Sequence, residues 1–198
     1  MLRNTIATLF FIAFILHSAY RQERHSTTIN QPKPYEDADA YEVYSAILPS
    51  VWPWRVENAK TLVIDSGTRA YEMCLRPDPE SQQVIGQAIS EYVRLNEKTW
   101  LLKQNFKIEK PYELITSDEL NRMTGFEEWK QFDKQHPNSG GWVELSAVGF
   151  NADKTVAVVY MGHHCPGLCG GGDFHVLQKK DGKWAPLIWR GESCLWRS

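Results

Sequence analysis

The sequence predicts an α+β fold in which N-terminal helices are followed by an antiparallel β-meander, in one domain behind an export signal. Three observations lead there. Apolar residues recur at helical spacing through the first two thirds of the chain, and the period changes to that of strands after Gly141. The chain also opens on a short apolar run behind a basic residue. A chain of 198 residues, 42% hydrophobic and 23% charged, suits one globular core. Its formal net charge of −2 lacks the basic excess of a general nucleic-acid binder. A mean hydropathy of −0.43 excludes a polytopic membrane protein.

Residues 1–19 read as a secretory signal peptide. Arg3 supplies the basic start, and Thr5 to Leu16 carries no charge. A spanning helix wants about 20 apolar residues, so an uncleaved anchor is the rival reading, and the membrane would be met only through this segment. His17, Ser18 and Ala19 give an imperfect cleavage site. Residues 20–34 are polar and proline-punctuated, with nothing to bury, and read as a flexible linker. Residues 35–198 form the single α+β domain. The export signal places it in the periplasm or outside the cell.

Within that domain Ala40, Tyr44, Ile47 and Leu48 share a helical face that Pro49 ends. Lys60 to Asp65 is a short β-branched stretch. Asp78-Pro79 is a strong helix start, and Ile85, Ala88, Ile89, Tyr92, Val93 and Trp100 line the helix behind it. Tyr112 to Ile115 fits a strand, and Thr116 with Glu119 a capping box. Phe126, Trp129 and Phe132 share a face before the break at residues 136–141. Strands follow over residues 142–150, 155–161, 174–178 and 183–188, with a last edge at 194–197. Asp181-Gly182 marks a hairpin.

The runs Leu145 to Tyr160, Cys165 to Gly172 and Leu177 to Trp184 resemble a group of small exported bacterial proteins of uncharacterised function. The resemblance implies a bacterial exported domain and no particular activity. The helices-then-sheet order, closing in a Gly-Lys-Trp hairpin, is also similar to cone-shaped NTF2-like domains. That likeness is one of topology alone.

Export makes disulfides the first reading of Cys74, Cys165, Cys169 and Cys194. Four cysteines allow three pairings, and spacing alone does not choose among them. A local Cys165–Cys169 bridge across Pro166-Gly167-Leu168 is sterically open, which leaves Cys74 for Cys194. The distant bridge is worth about 4–5 kcal/mol in a chain-entropy account.

Were the thiols reduced, a hairpin symmetric about Cys169 would bring His163 opposite His175. His163, Cys165, Cys169 and His175 would then form a nitrogen–sulfur set suited to zinc or copper. A cysteine nucleophile beside His163 is the related catalytic reading. Gly170-Gly171-Gly172 lacks the following helix of a phosphate loop. Among the eight tryptophans, Trp52 and Trp54 flank Pro53 where no core period demands them, and they are the candidate binding surface.

No acid–base pair or nucleophile elbow stands out. The expected function is therefore an exported, non-catalytic binding or structural module that needs no cofactor and meets an unidentified ligand or envelope partner. The alternative is a metal-dependent or cysteine-dependent enzyme centred on the His163–Cys169 loop, with zinc as its metal.

Overall fold

The computed structural model describes residues 32–50, 59–123, 125–167 and 169–198, as one compact unit from Pro32 onward. The expected signal segment and linker residues 20–31 lie outside the described residues. So do Trp52 and Trp54.

The fold is α+β, with helices on both faces of a mixed sheet. In chain order the elements are β1 (Lys33–Pro34), α1 (Ala38–Ile47), β2 (Leu62–Asp65), β3 (Arg76–Pro77), α2 (Pro79–Leu95), β4 (Trp100–Leu101), β5 (Tyr112–Ile115), α3 (Ser117–Leu120) and α4 (Phe126–Gln135). Then come β6 (Trp142–Leu145), β7 (Gly149–Phe150), β8 (Val156–His164), β9 (Gly171–Lys180), β10 (Lys183–Pro186), β11 (Gly191–Glu192) and β12 (Leu195–Arg197).

The helix starts follow their caps. Asp37 accepts the Asp39 amide at 3.1 Å to open α1, and Asp78 accepts the Ser81 amide at 2.7 Å ahead of Pro79 to open α2. Thr116 does the same for α3 through the Glu119 amide. Helix α2 stops at Leu95 because the Asn96 side chain donates to the Tyr92 carbonyl at 2.8 Å and the Ala147 carbonyl at 3.0 Å. Trp100 therefore falls in β4 rather than on the helix, and Val93 faces solvent. Phe126 is likewise exposed, so only Phe132 of α4 is fully buried.

The main sheet runs β10-β9-β8-β6-β2-β5. Its second half is the expected antiparallel meander. The sheet does not stop there, because β2 pairs in parallel with both β5 and β6. A run of four residues gave no sign of direction, and parallel pairing depends on the two long crossovers that return the chain. The stretch 142–150 is also two strands. The chain steps out at Ser146, whose hydroxyl accepts the Tyr160 amide at 2.8 Å and whose carbonyl takes the Tyr44 hydroxyl at 2.7 Å. At the far end Asp181 and Gly182, with φ of 50° and 74°, make the two-residue hairpin turn.

Strand β8 divides the interior. Its odd positions Ala157, Val159 and Met161 join Leu62, Ile64, Val143 and Leu145 under Val43, Tyr44 and Ile47 of α1. Its even positions Val156, Val158 and Tyr160 pack with Phe174 and Val176 against Ile85, Ala88 and Tyr92 of α2. Helices α3 and α4 cover the same side further along, where Leu120 and Phe132 meet Val63, Ile115 and Trp142.

The closest approach is α2 on β7. A Cβ at Gly149 would collide with the Ala88 carbonyl and the Tyr92 backbone, none of which can swing aside. We predict that Gly149→Ala lowers unfolding stability by about 1–3 kcal/mol in urea titration, the range for overpacking. An unchanged midpoint would show that α2 does not sit this close.

Candidate functional site

The sulfurs are paired. Cys165 joins Cys169 with Cα atoms 5.8 Å apart, and Cys74 joins Cys194 at 5.9 Å across 120 residues. Among the described residues no free cysteine remains. The expected opposition of His163 and His175 does not form. The β8–β9 register sets His163 against Gly171 and His175 against Val159, so the hairpin is centred on Gly167, not Cys169. The two histidines thus sit four positions apart along the strands, about 13 Å at the usual rise. With its thiolates spent and its imidazoles apart, the four-residue zinc set is not assembled. His163 is buried under the α1 side of the sheet, where Nε2 donates to the Gly140 carbonyl at 2.9 Å.

What the fold does assemble is a polar crevice on the opposite side, between α2 and the α3–α4 pair. Asp65 ends β2 fully buried. Its carboxylate accepts the Gly67 amide at 2.8 Å, the Ser117 hydroxyl at 2.6 Å and the Arg69 Nε–H. Arg69 continues to the Asn121 side-chain carbonyl at 2.8 Å and lies 5.4 Å over the Trp142 ring. Glu144, from β6, places Oε1 at 3.1 Å from His164 Nε2 and accepts the Tyr160 hydroxyl at 3.4 Å. The His164 ring stacks on Trp142 at 4.0 Å and leans on Trp196 at 5.3 Å. The Trp196 indole donates to the Tyr160 hydroxyl, and Tyr71 stacks on the Tyr160 ring at 4.8 Å. Burial pushes the pKa of the Tyr160 hydroxyl well up, so it stays a donor.

Two glycines make the room. Gly162 faces Gly172 across β8 and β9. A Cβ on the first would strike the Glu144 carboxylate, and on the second the Tyr160 hydroxyl and the Trp196 indole. Either replacement would expel the network.

A second concavity lies at the sheet edge. Strand β9 is edged by β10 at residues 177–180 and by β12 at residues 171–173, which leaves Phe174 to Val176 between two separate edge strands. Beside that gap is a cleft of about 450 Å³, walled by Ile47, Leu177, Trp184, Pro186, Leu187 and Trp189. His175 is its half-buried polar group, and desolvation holds its pKa below the ordinary value, which keeps it neutral at pH 7. Ile188, 95% exposed, and Val84 line a separate, smaller cavity that shares Leu187 and Trp189 with the cleft.

The crevice residues escape a reading by motif, because 65, 69, 144, 160, 164 and 196 come together only in three dimensions. One signal was present. Single carboxylates inside the apolar runs Leu62-Val63-Ile64-Asp65 and Trp142-Val143-Glu144-Leu145 are costly to bury, and so mark built polar sites.

Neither a family model, a curated protein nor a solved structure matches this chain.

Intact-mass measurement should show a gain of about four mass units on reduction, two hydrogens per bridge. No gain would mean that the sulfurs are not paired. For the crevice, Asp65→Ala strands the Arg69 guanidinium and two further donors. The expected loss is about 2–4 kcal/mol by chemical denaturation, less than for a wholly buried pair because Arg69 is partly solvated. A loss under about 0.5 kcal/mol, the size of an ordinary surface change, would reduce the network to ornament.

Proposed function

We propose that the protein is an exported, non-catalytic binding module whose ligand surface is the edge cleft. The observation that carries this reading is the cleft itself. Its roughly 450 Å³ falls within the size range of small-molecule sites, its walls are mostly apolar and aromatic, and its polar side chains are a neutral histidine, His175, and Ser50. The occupant that suits it is an uncharged, largely apolar molecule with one or two hydrogen-bonding groups. Export is supported by the signal-like residues 1–19 and by the two disulfides, which are compatible with an oxidising compartment. Among the described residues, no helix is long and apolar enough to cross a membrane.

The zinc or thiol enzyme loses its support, because its sulfurs are bound to each other. Kinship with small exported bacterial proteins rests on the runs in the last third of the chain. The NTF2-like reading of the fold is supported by the helix-first order and the β6–β8–β9–β10 meander; the parallel pairing of β2 departs from a pure meander.

Two measurements test the proposal. Fractionation of cells carrying a C-terminally tagged chain should find the protein outside the cytoplasm. Titration of the purified protein with 4-butylphenol, followed by tryptophan fluorescence, should saturate at one site. Trp189→Ala should weaken that binding about tenfold, as expected for an aromatic anchor, with the circular dichroism spectrum unchanged. Linear, unsaturable quenching, or saturation indifferent to Trp189, would remove the cleft from the function.

A further inference from the structure

We propose that the groove between α2 and the turn joining β7 to β8 is a second binding site, for an uncharged saccharide chain. It is separate from the edge cleft and does not depend on that reading.

The groove has a volume of about 780 Å³, within the range of ligand sites, and is open to solvent. One wall is a stripe of α2 in which Gln82, Gly86, Ser90 and Arg94 recur at four-residue spacing. From Gln82 to Arg94 that wall runs about 18 Å at the helical rise, longer than a single sugar ring. The facing wall is formed by Asn151, Ala152 and Lys154 of the turn, with Asp37 from the start of α1.

The charges of the groove are matched within its own walls. Arg94 donates to Glu91 at 2.7 Å through Nε, and Lys154 donates to Asp37 at 2.9 Å. Two carboxylates thus meet two cations, and none of the four is left to select an ionic ligand. Apolar contact is scarce as well. Phe150 is only 7% exposed and lies beneath the Lys154 ammonium, 5.3 Å from its ring centre.

What the groove does offer is neutral donors and acceptors. From Ser81 to Ser90 α2 carries no charge, and on the groove stripe this stretch presents three glutamine amides and a hydroxyl. The side chains of Gln82 and Gln83 have no hydrogen-bond partner among the described residues. Gln87 uses its carbonyl to accept the Ala152 amide at 3.3 Å across the groove, which leaves both of its N–H donors available. The Ser90 hydroxyl donates to the Gly86 carbonyl at 3.0 Å and keeps its lone pairs. Each amide sets donors beside an acceptor, the combination that sugar hydroxyls match. The opposite wall is held in advance. Asn151 Oδ1 accepts the Thr155 and Val156 amides, both at 2.8 Å, and Nδ2 donates to the Thr155 hydroxyl at 2.9 Å. A wall fixed in this way costs little to order on binding.

Gly86 is the independent observation. Glycine inside a helix is unfavourable relative to alanine, so its place in the middle of α2 calls for a reason. Packing does not supply one: the nearest atoms to a Cβ there all belong to the Gln82 side chain, whose amide end can swing aside. The contrast is Gly149, where backbone atoms block the Cβ. At Gly86 the absent side chain keeps the groove floor free and lets Gln82 lie along it.

The test is calorimetric titration of the full chain with the neutral tetramers cellotetraose, maltotetraose and N-acetylchitotetraose. Tetragalacturonate and tetraglucosamine are the charged controls, and glucose and N-acetylglucosamine the single rings. The proposal expects one-site saturable binding of at least one neutral tetramer, and weaker binding of every control. Gln87→Ala and Gln82→Ala should each weaken it about fivefold, the scale of one hydrogen bond. Gly86→Ala should weaken it severalfold while leaving the thermal midpoint unchanged or raised, an outcome that a packing role would not give. Trp189→Ala, in the separate cleft, should have no effect. Circular dichroism establishes that each variant is folded; should Gly86→Ala fail to fold, the exposed Gln82 and Gln87 variants decide. Absence of saturable binding by any neutral tetramer would overturn the site. So would equal affinity in the folded variants, controls that bind as tightly, or a Gly86→Ala protein that loses stability and keeps its binding.

Discussion

Strand β8 must be covered on both faces, and most of the structure follows from that. Eight of its nine residues are buried, and it alternates Val156, Val158 and Tyr160 on one side with Ala157, Val159 and Met161 on the other. Burial of apolar side chains at about 25 cal/mol per Å² is the dominant favourable term, so a strand apolar on both faces is stable only as the middle layer of three. Helix α1 supplies one cover. Helix α2, set close by the absent Cβ of Gly149, supplies the other. The antiparallel neighbours β6 and β9 then satisfy its backbone, and β2 and β5 extend the sheet beyond β6.

The two helical covers on the α2 side do not meet, and the crevice is the consequence. Where the even face of β8 passes from under α2, its residues change from valine to Tyr160, Gly162 and His164. The change is matched across the sheet by Glu144 and Gly172. A polar network at such a seam is stable only when its members satisfy one another. Asp65 does this completely, through three donors. Glu144 does it through the Tyr160 hydroxyl at 3.4 Å, His164 at 3.1 Å and the Arg69 guanidinium at 3.9 Å.

The disulfides act at the ends of this arrangement. Cys165–Cys169 closes the β8–β9 hairpin immediately after His164, while Cys74–Cys194 ties the segment ahead of α2 to the chain just before β12. The second bridge helps to define the edge. Held at Cys194, the chain from Leu187 to Ser193 cannot follow β9 as one continuous strand. It leaves at the end of β10, pairs with β3 at residues 191–192, and returns as β12. The cleft with Trp184 and Trp189 occupies the space left between.

Much of this was legible in the sequence, for a local reason. The caps at Asp37, Asp78 and Thr116, the Asp181-Gly182 turn and the apolar run of β8 act through bonds a few residues long, so the sequence by itself determined the helix starts, the meander and the α+β class. Helix and strand ends were less legible where a distant partner intervenes. Asn96 ends α2 by reaching Ala147, and Ser146 breaks β6 from β7 by receiving Tyr160. Strand direction, hairpin register and the sites were decided only in the tertiary structure. Parallel pairing of β2 depends on crossovers tens of residues long. A register centred on Gly167 instead of Cys169 moves each partner by four positions, and with it separates His163 from His175. Glu144 and Tyr71 lie 73 positions apart in the chain. That both meet Tyr160 is a property of packing, and no local spacing encodes it.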